Sequence, residues 1–127
     1  MTYKVLVVDD SKLARMSFAK LLSKLRPGWG RLEAANADEA MDLIAAQRPD
    51  IVVLDFNMPG RDGLEIAGEL QALHPHIPVA VISANIQVEI VSRATAAGAV
   101  FLPKPLTEQA LAEFLDLVGP RLAAMGT

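Results

Sequence analysis

The sequence predicts an α/β fold: a doubly wound, parallel five-stranded sheet with helices on both faces, (βα)5. Three observations carry it. Apolar runs such as Ile51-Val52-Val53-Leu54 show no polar alternation, as in strands buried on both faces. Stretches with apolar residues at helical spacing separate those runs from end to end. Gly, Pro, Asn and Asp punctuate the joints. Strict alternation of strand and helix calls for parallel strands joined by right-handed crossovers.

The elements follow in order. Tyr3 to Val8 is the first strand and ends at Asp9-Asp10. Ser11 caps the first helix, whose inward stripe is Ala14, Phe18, Leu21, Leu22 and Leu25. Its other side carries Lys12, Arg15, Lys20, Lys24 and Arg26, and Pro27-Gly28-Trp29-Gly30 ends it. Arg31 to Ala35 is a short, weak strand. Ala37 to Gln47 is the second helix, capped by Asn36 or Asp38, with Ala40, Met41, Ile44 and Ala45 inward. The third strand ends at Asp55, and Pro59-Gly60 and Asp62-Gly63 make a tight loop after it. Gly63 to Leu73 is the third helix, opened by Asp62. Pro78 to Ile82 is the fourth strand, ending at Ser83-Ala84. Asn85 to Ala97 is the fourth helix, with Gly98 at its end. Ala99 to Leu102 is the fifth strand, ending at Pro103-Lys104-Pro105. Thr107 to Val118 is the fifth helix, stopped by Gly119-Pro120, with a frayed tail to Thr127.

The 127 residues fit one domain, with no output domain in this chain. Apolar residues at 52% against 21% charged supply a core and argue against disorder. A net charge of −3 argues against direct nucleic-acid binding. No cysteine is present, so there is no disulfide framework or thiolate metal site, consistent with a cytoplasmic protein. No signal peptide is visible, and the apolar runs fall far short of the ~20 residues of a membrane helix.

In a parallel sheet the strand ends share one edge, where open α/β folds bind ligands. Asp9, Asp10, Asp55, Ser83 and Lys104 converge there. Carboxylates so close resist ionisation, and a hard divalent cation removes the conflict. Magnesium fits, because it takes oxygen ligands and needs only one or two carboxylates plus phosphate. Asp10 and Asp55 supply carboxylates, Asn57 its backbone carbonyl, and Asp9 an acceptor for bound water. Asp55, at the lip of a buried strand, is a candidate nucleophile or metal ligand. Each piece alone has a plainer role: a strand end, a helix cap, a turn serine, a surface lysine.

Together, Asp9-Asp10, the run Val53 to Gly63 around Asp55, Ser83-Ala84 and Lys104-Pro105 resemble the response-regulator receiver domain of two-component systems, over essentially the whole chain. The resemblance implies a flavodoxin-like strand order 2-1-3-4-5. It implies Asp55 as phospho-acceptor, Asp9 and Asp10 as magnesium-site acids, Ser83 as switch hydroxyl, Phe101 as switch aromatic, Lys104 as phosphate partner, and a cis bond before Pro105. Side chains at the positions of Asn57 and Asn85 would tune phosphate lifetime. The expected function is receipt of a phosphoryl group from a sensor histidine kinase or histidine phosphotransfer domain, the chain assisting its own phosphorylation and dephosphorylation without being an enzyme. An alternative is a receiver excised from a larger DNA-binding or enzymatic regulator. A free-substrate phosphatase is disfavoured, because Asn57 stands where a general acid would be needed.

Phe101 lacks the hydroxyl of the tyrosine frequent at its position, and Pro103 removes a strand donor that an edge strand can spare. The proximal end of the first helix, around Arg15, is expected to contact the phosphodonor. The output surface is expected on the fourth helix, fifth strand and fifth helix. Ile86, Val88, Ile90 and Val91 exceed one inward stripe, so Val88, beside Val91, Phe101 and Leu117, should stand partly exposed for a protein effector or a second copy of the chain.

Overall fold

Burial decides the centre of the sheet. Every residue of Ile51–Asp55 (β3) and Val79–Ser83 (β4) is buried, as is all of Lys4–Val8 (β1) beyond its first residue. The outer strands, Gly30–Ala34 (β2) and Val100–Pro103 (β5), are partly exposed. The computed structural model describes residues 2–58, 60–85 and 87–125, with Met125 described for its backbone alone. The strands pair in parallel in the order β2-β1-β3-β4-β5, the order the resemblance implies.

Alternate strand residues feed two cores. Leu6, Val8, Val52, Leu54 and Val81 face Ala37–Gln47 (α2), Gly63–Leu73 (α3) and Val88–Ala96 (α4) through Ile44, Ile66, Leu70 and Ala94. Val5, Val7, Ile51, Val53 and Ile82 face Lys12–Leu25 (α1) and Glu108–Met125 (α5) through Phe18, Leu22, Leu111, Phe114 and Leu115. A side chain fully buried in either layer contributes roughly 1.5–3 kcal/mol. The uninterrupted apolar runs exist because both faces of the sheet are covered.

Caps fix where the helices begin. Ser11 accepts the N–H of Ala14, Asn36 that of Glu39 and Asp62 that of Glu65, at 3.2, 2.9 and 2.8 Å. Thr107 accepts the N–H of Ala110 at 3.1 Å. Gly98 follows α4 with φ 76°, a left-handed conformation suited to glycine.

Several boundaries depart from the sequence reading. β1 starts one residue late, and β2, β4 and β5 are each shifted by one residue at both ends, within the usual latitude. The fourth helix starts at Val88, not Asn85: the Asn85 side chain accepts the N–H of Gln87 at 3.1 Å, a local turn that delays the helix. Ala45 is exposed rather than inward, and Met41 is half-buried. The fifth helix does not stop at Gly119-Pro120 but runs to Met125. Pro120 cannot donate to the helix ladder, yet Leu122, buried at 4%, extends the stripe of Leu111, Leu115 and Val118 past it. Packing outweighs the breaker. Thr127 and Ile86 lie outside the described residues, as does Pro59 of the loop after β3.

Gly63 makes the tightest approach. Its N–H donates to the carbonyl of Phe56 at 3.0 Å, and a Cβ there would stand 2.5 Å from the Asp55 carbonyl oxygen. α3 can therefore seat on the end of β3 only with glycine at this position. Gly63→Ala should destabilise the protein by about 1–3 kcal/mol, read as a lowered urea midpoint. Gly68→Ala, on the open face of α3 with nothing within 4 Å of its added carbon, should instead stabilise it by roughly 0.5–1 kcal/mol.

Candidate functional site

The carboxyl ends of β1, β3, β4 and β5 deliver the site. The Asp9 N–H donates to the Ala34 carbonyl at 3.0 Å, the last bond between β1 and β2. Beyond it the chain turns through Asp10 to the cap of α1. The Asp9 carboxylate faces inward and accepts the Ser11 N–H at 2.9 Å. Asp55 is the last residue of β3, held in register opposite Ile82. Ser83 ends β4, and its carbonyl accepts the Lys104 N–H at 3.0 Å, which fixes where Lys104 leaves β5. The Lys104–Pro105 peptide is cis, as the resemblance implies.

Asp55 is 4% exposed and Ser83 fully buried, while Asp10 is exposed. Lys104 Nζ lies 2.9 Å from Asp55 Oδ1 and 3.7 Å from Asp9 Oδ2. The shorter contact is an ion pair without hydrogen-bond alignment, so the buried Asp55 Oδ1 has no aligned donor. Among the described residues, Asp9, Asp10 and Asp55 are the acidic group whose ligand atoms all lie within 4.8 Å of one another. One ammonium faces three carboxylates. Burial pushes the Asp9 carboxyl above its ordinary 3.8; the Ser11 N–H opposes the rise and the Asp55 charge adds to it. Burial also works against charge on Lys104, but Asp55 and Asp9 outweigh it and hold the ammonium above its ordinary 10.5. A cluster with surplus negative charge and an unsatisfied buried oxygen suits a hard divalent cation.

The other predicted positions divide. Asn57 is exposed in the connection to α3. Ser83 Oγ accepts the Asn85 N–H at 3.0 Å, so the two residues share one turn. Phe101, half-buried, sits opposite Val81 and packs on the α2–α3–α4 core, and Val91 is half-buried. Val88 is 81% exposed and Leu117 59%. Arg15 is not on the solvated face. Its side chain is 16% exposed and turned back onto Asp9 and Glu33. Sequence reasoning missed Glu33 and the role of Gly63. The only signal for the first was a cation near a helix N-terminus, where cations are disfavoured.

An apolar cavity of about 370 Å³ opens beside Asp9 and Lys104, lined by Phe18, Leu21, Ile82 and Leu106. A larger one, about 530 Å³, lies at the opposite edge of the sheet between Arg48–Asp50 and His74–Ile77, away from Asp9, Asp10 and Asp55.

A five-stranded parallel sheet with an acidic, lysine-bearing carboxyl edge defines the receiver class. The response regulator receiver domain model matches residues 5–116, and the chain belongs to that family. It is 43% identical over 114 residues to the positive alginate biosynthesis regulatory protein of Pseudomonas aeruginosa, covering 87% of this chain and 45% of that protein. It is 39% identical over 120 residues to the response regulator MprA of Mycolicibacterium vanbaalenii, covering 93% and 51%. The chain thus spans about half the length of these curated relatives. Among solved structures, the chemotaxis protein CheY4 of Vibrio cholerae superposes with a TM-score of 0.83 at 27% identity, covering 93% of this chain and 99% of that one. Among the described residues no helix is long and apolar enough to cross a membrane.

The raised Asp9 carboxyl has a consequence for stability. A folded state that holds this proton more tightly than the unfolded chain loses stability as the group ionises. The loss is absent below the ordinary 3.8 and complete above the raised value. In metal-free buffer at neutral pH, Asp9→Asn should therefore unfold at a higher temperature than wild type, and the gap should close as the pH falls below that window. A thermal melt at each pH reads it.

Proposed function

We infer that Asp55 accepts a phosphoryl group from a phosphohistidine, on a sensor histidine kinase or a histidine phosphotransfer domain. The observation that carries this is the Asp55 carboxylate, buried at the strand end with Oδ1 lacking an aligned donor and Lys104 Nζ 2.9 Å away. A carboxylate oxygen of Asp55 attacks phosphorus, the phosphorus–nitrogen bond breaks, and the imidazole leaves with the bonding pair. A carboxylate is a weak nucleophile, but phosphoryl transfer asks chiefly for positioning and charge neutralisation. Lys104 supplies part of that neutralisation. Asp10, Asp55 and the Asn57 carbonyl, with Asp9 beside them, would hold magnesium, and the ion would supply the rest of that neutralisation. The product is an acyl phosphate that water hydrolyses, so the chain is a transient acceptor and not a turnover enzyme.

The signal leaves through Ser83. Its Oγ now accepts the Asn85 N–H. Donating to a phosphoryl oxygen requires the hydroxyl to swing, which frees that amide and shifts the turn leading to α4. Phe101, across from Val81, follows into the space. The α4-β5-α5 surface, with Val88 and Leu117 exposed, then changes its affinity for an effector protein or a second copy. The doubled length of the curated relatives favours a second reading, in which this receiver controls an attached DNA-binding or enzymatic part.

Incubation with a small phosphodonor and magnesium, followed by intact-mass and peptide mass spectrometry, tests the acceptor. One phosphoryl group on Asp55, absent in Asp55→Asn and magnesium-dependent, is expected. Labelling elsewhere, or none in wild type, overturns the assignment.

A further inference from the structure

Arg15 sits where a cation is disfavoured. α1 has no acidic residue in its first turn, and Lys12 and Arg15 both stand near the positive end of its dipole. The side chain nevertheless folds back toward that end. Nη1 donates to the Asp9 carbonyl at 2.6 Å and Nε to Glu33 Oε1 at 3.0 Å. Glu33 Oε2 in turn accepts Arg31 Nε at 3.3 Å. The guanidinium is thus anchored from β2 and reaches across to the β1–α1 turn, with its side chain 16% exposed.

The acceptor is the informative atom. The Asp9 carbonyl lies past the last bond between β1 and β2, so no strand fixes it. That carbonyl and the Asp10 nitrogen belong to one planar peptide group. Holding the oxygen restrains that plane, and with it the position of the Asp10 Cα from which the side chain departs. Asp10 is exposed. Its approach to Asp55 and Asp9, within 4.8 Å, depends on the backbone more than on its own packing. The Asp9 side chain is already fastened to Ser11; Arg15 fastens the other half of the turn.

We propose that Arg15, oriented by Glu33, is a positioning residue for the divalent-cation site: it holds the Asp9–Asp10 peptide so that the Asp10 carboxylate faces Asp55. The inference rests on the proposed magnesium site and adds two residues to its support.

Magnesium titration of the full chain, followed by backbone amide shifts well below the melting temperature, tests it. Loss of an outer partner typically costs 10–100-fold in metal affinity, so Arg15→Gln should weaken magnesium binding by about tenfold or more, Glu33→Gln by several-fold, and Arg15→Lys by less than Arg15→Gln. Lys24→Gln, which removes the α1 to Glu108 pair far from the turn, should leave affinity unchanged. In metal-free protein the Asp10 amide nitrogen should shift in Arg15→Gln, because the lost bond was to its own peptide group. If wild type binds magnesium and Arg15→Gln binds it within about twofold, the clamp is overturned while the metal site stands. If wild type binds none, the metal site falls and the clamp with it. Should Arg15→Gln fail to fold, Glu33→Gln decides in its place, and unchanged affinity there overturns the clamp.

Discussion

The structure depends on one arrangement of charge. Asp55 is a carboxylate buried at the end of a strand buried throughout, and the sheet brings Asp9, Asp10 and a single ammonium to it. Taking a carboxylate out of water is expensive unless its oxygens are satisfied. Here one oxygen has no aligned donor, and Lys104 faces more negative charge than it can balance. The cost is borne by the two apolar layers that cover β1, β3 and β4. It is retained at the carboxyl edge of the sheet, where a cation can relieve it.

The backbone keeps these groups in place with few side-chain restraints. Parallel register sets Asp55 opposite Ile82 and Ser83 opposite Pro103, and the Ser83 carbonyl takes the Lys104 amide. Gly63 lets α3 press on the Asp55 carbonyl. On the far side Arg15 and Glu33 grip the β1–α1 turn. The residues proposed as the switch are held by fewer bonds. Ser83 Oγ holds one loop amide, and Phe101 is only half-buried.

Much of this was legible in the sequence. Unalternating strands ending in Asp9-Asp10, Asp55, Ser83 and Lys104 fixed which residues meet, because topology alone brings parallel strand ends to one edge. Val88 was legible as partly exposed because it cannot share a helix face with Ala94; the structure leaves it 81% exposed. What stayed hidden depended on tertiary geometry. Pro120 reads as a stop, and only the burial of Leu122 carries α5 past it. Asn85 reads as helical until its side chain is seen closing a turn on Gln87. Arg15 reads as one more cation on a basic face, because its partners lie 6 and 18 residues away in the chain. Gly63 reads as a turn glycine, and its contact with the Asp55 carbonyl has no signature in spacing.

The central claim is that the carboxyl edge carries unrelieved negative charge that a cation relieves. The most direct measurement is the thermal midpoint of the unphosphorylated wild-type chain as magnesium is added at constant ionic strength. A ligand that binds only the folded state raises stability with its concentration by mass action. The account predicts a midpoint that rises with magnesium as for a single site, and does not rise when sodium replaces it. A midpoint indifferent to magnesium would contradict it.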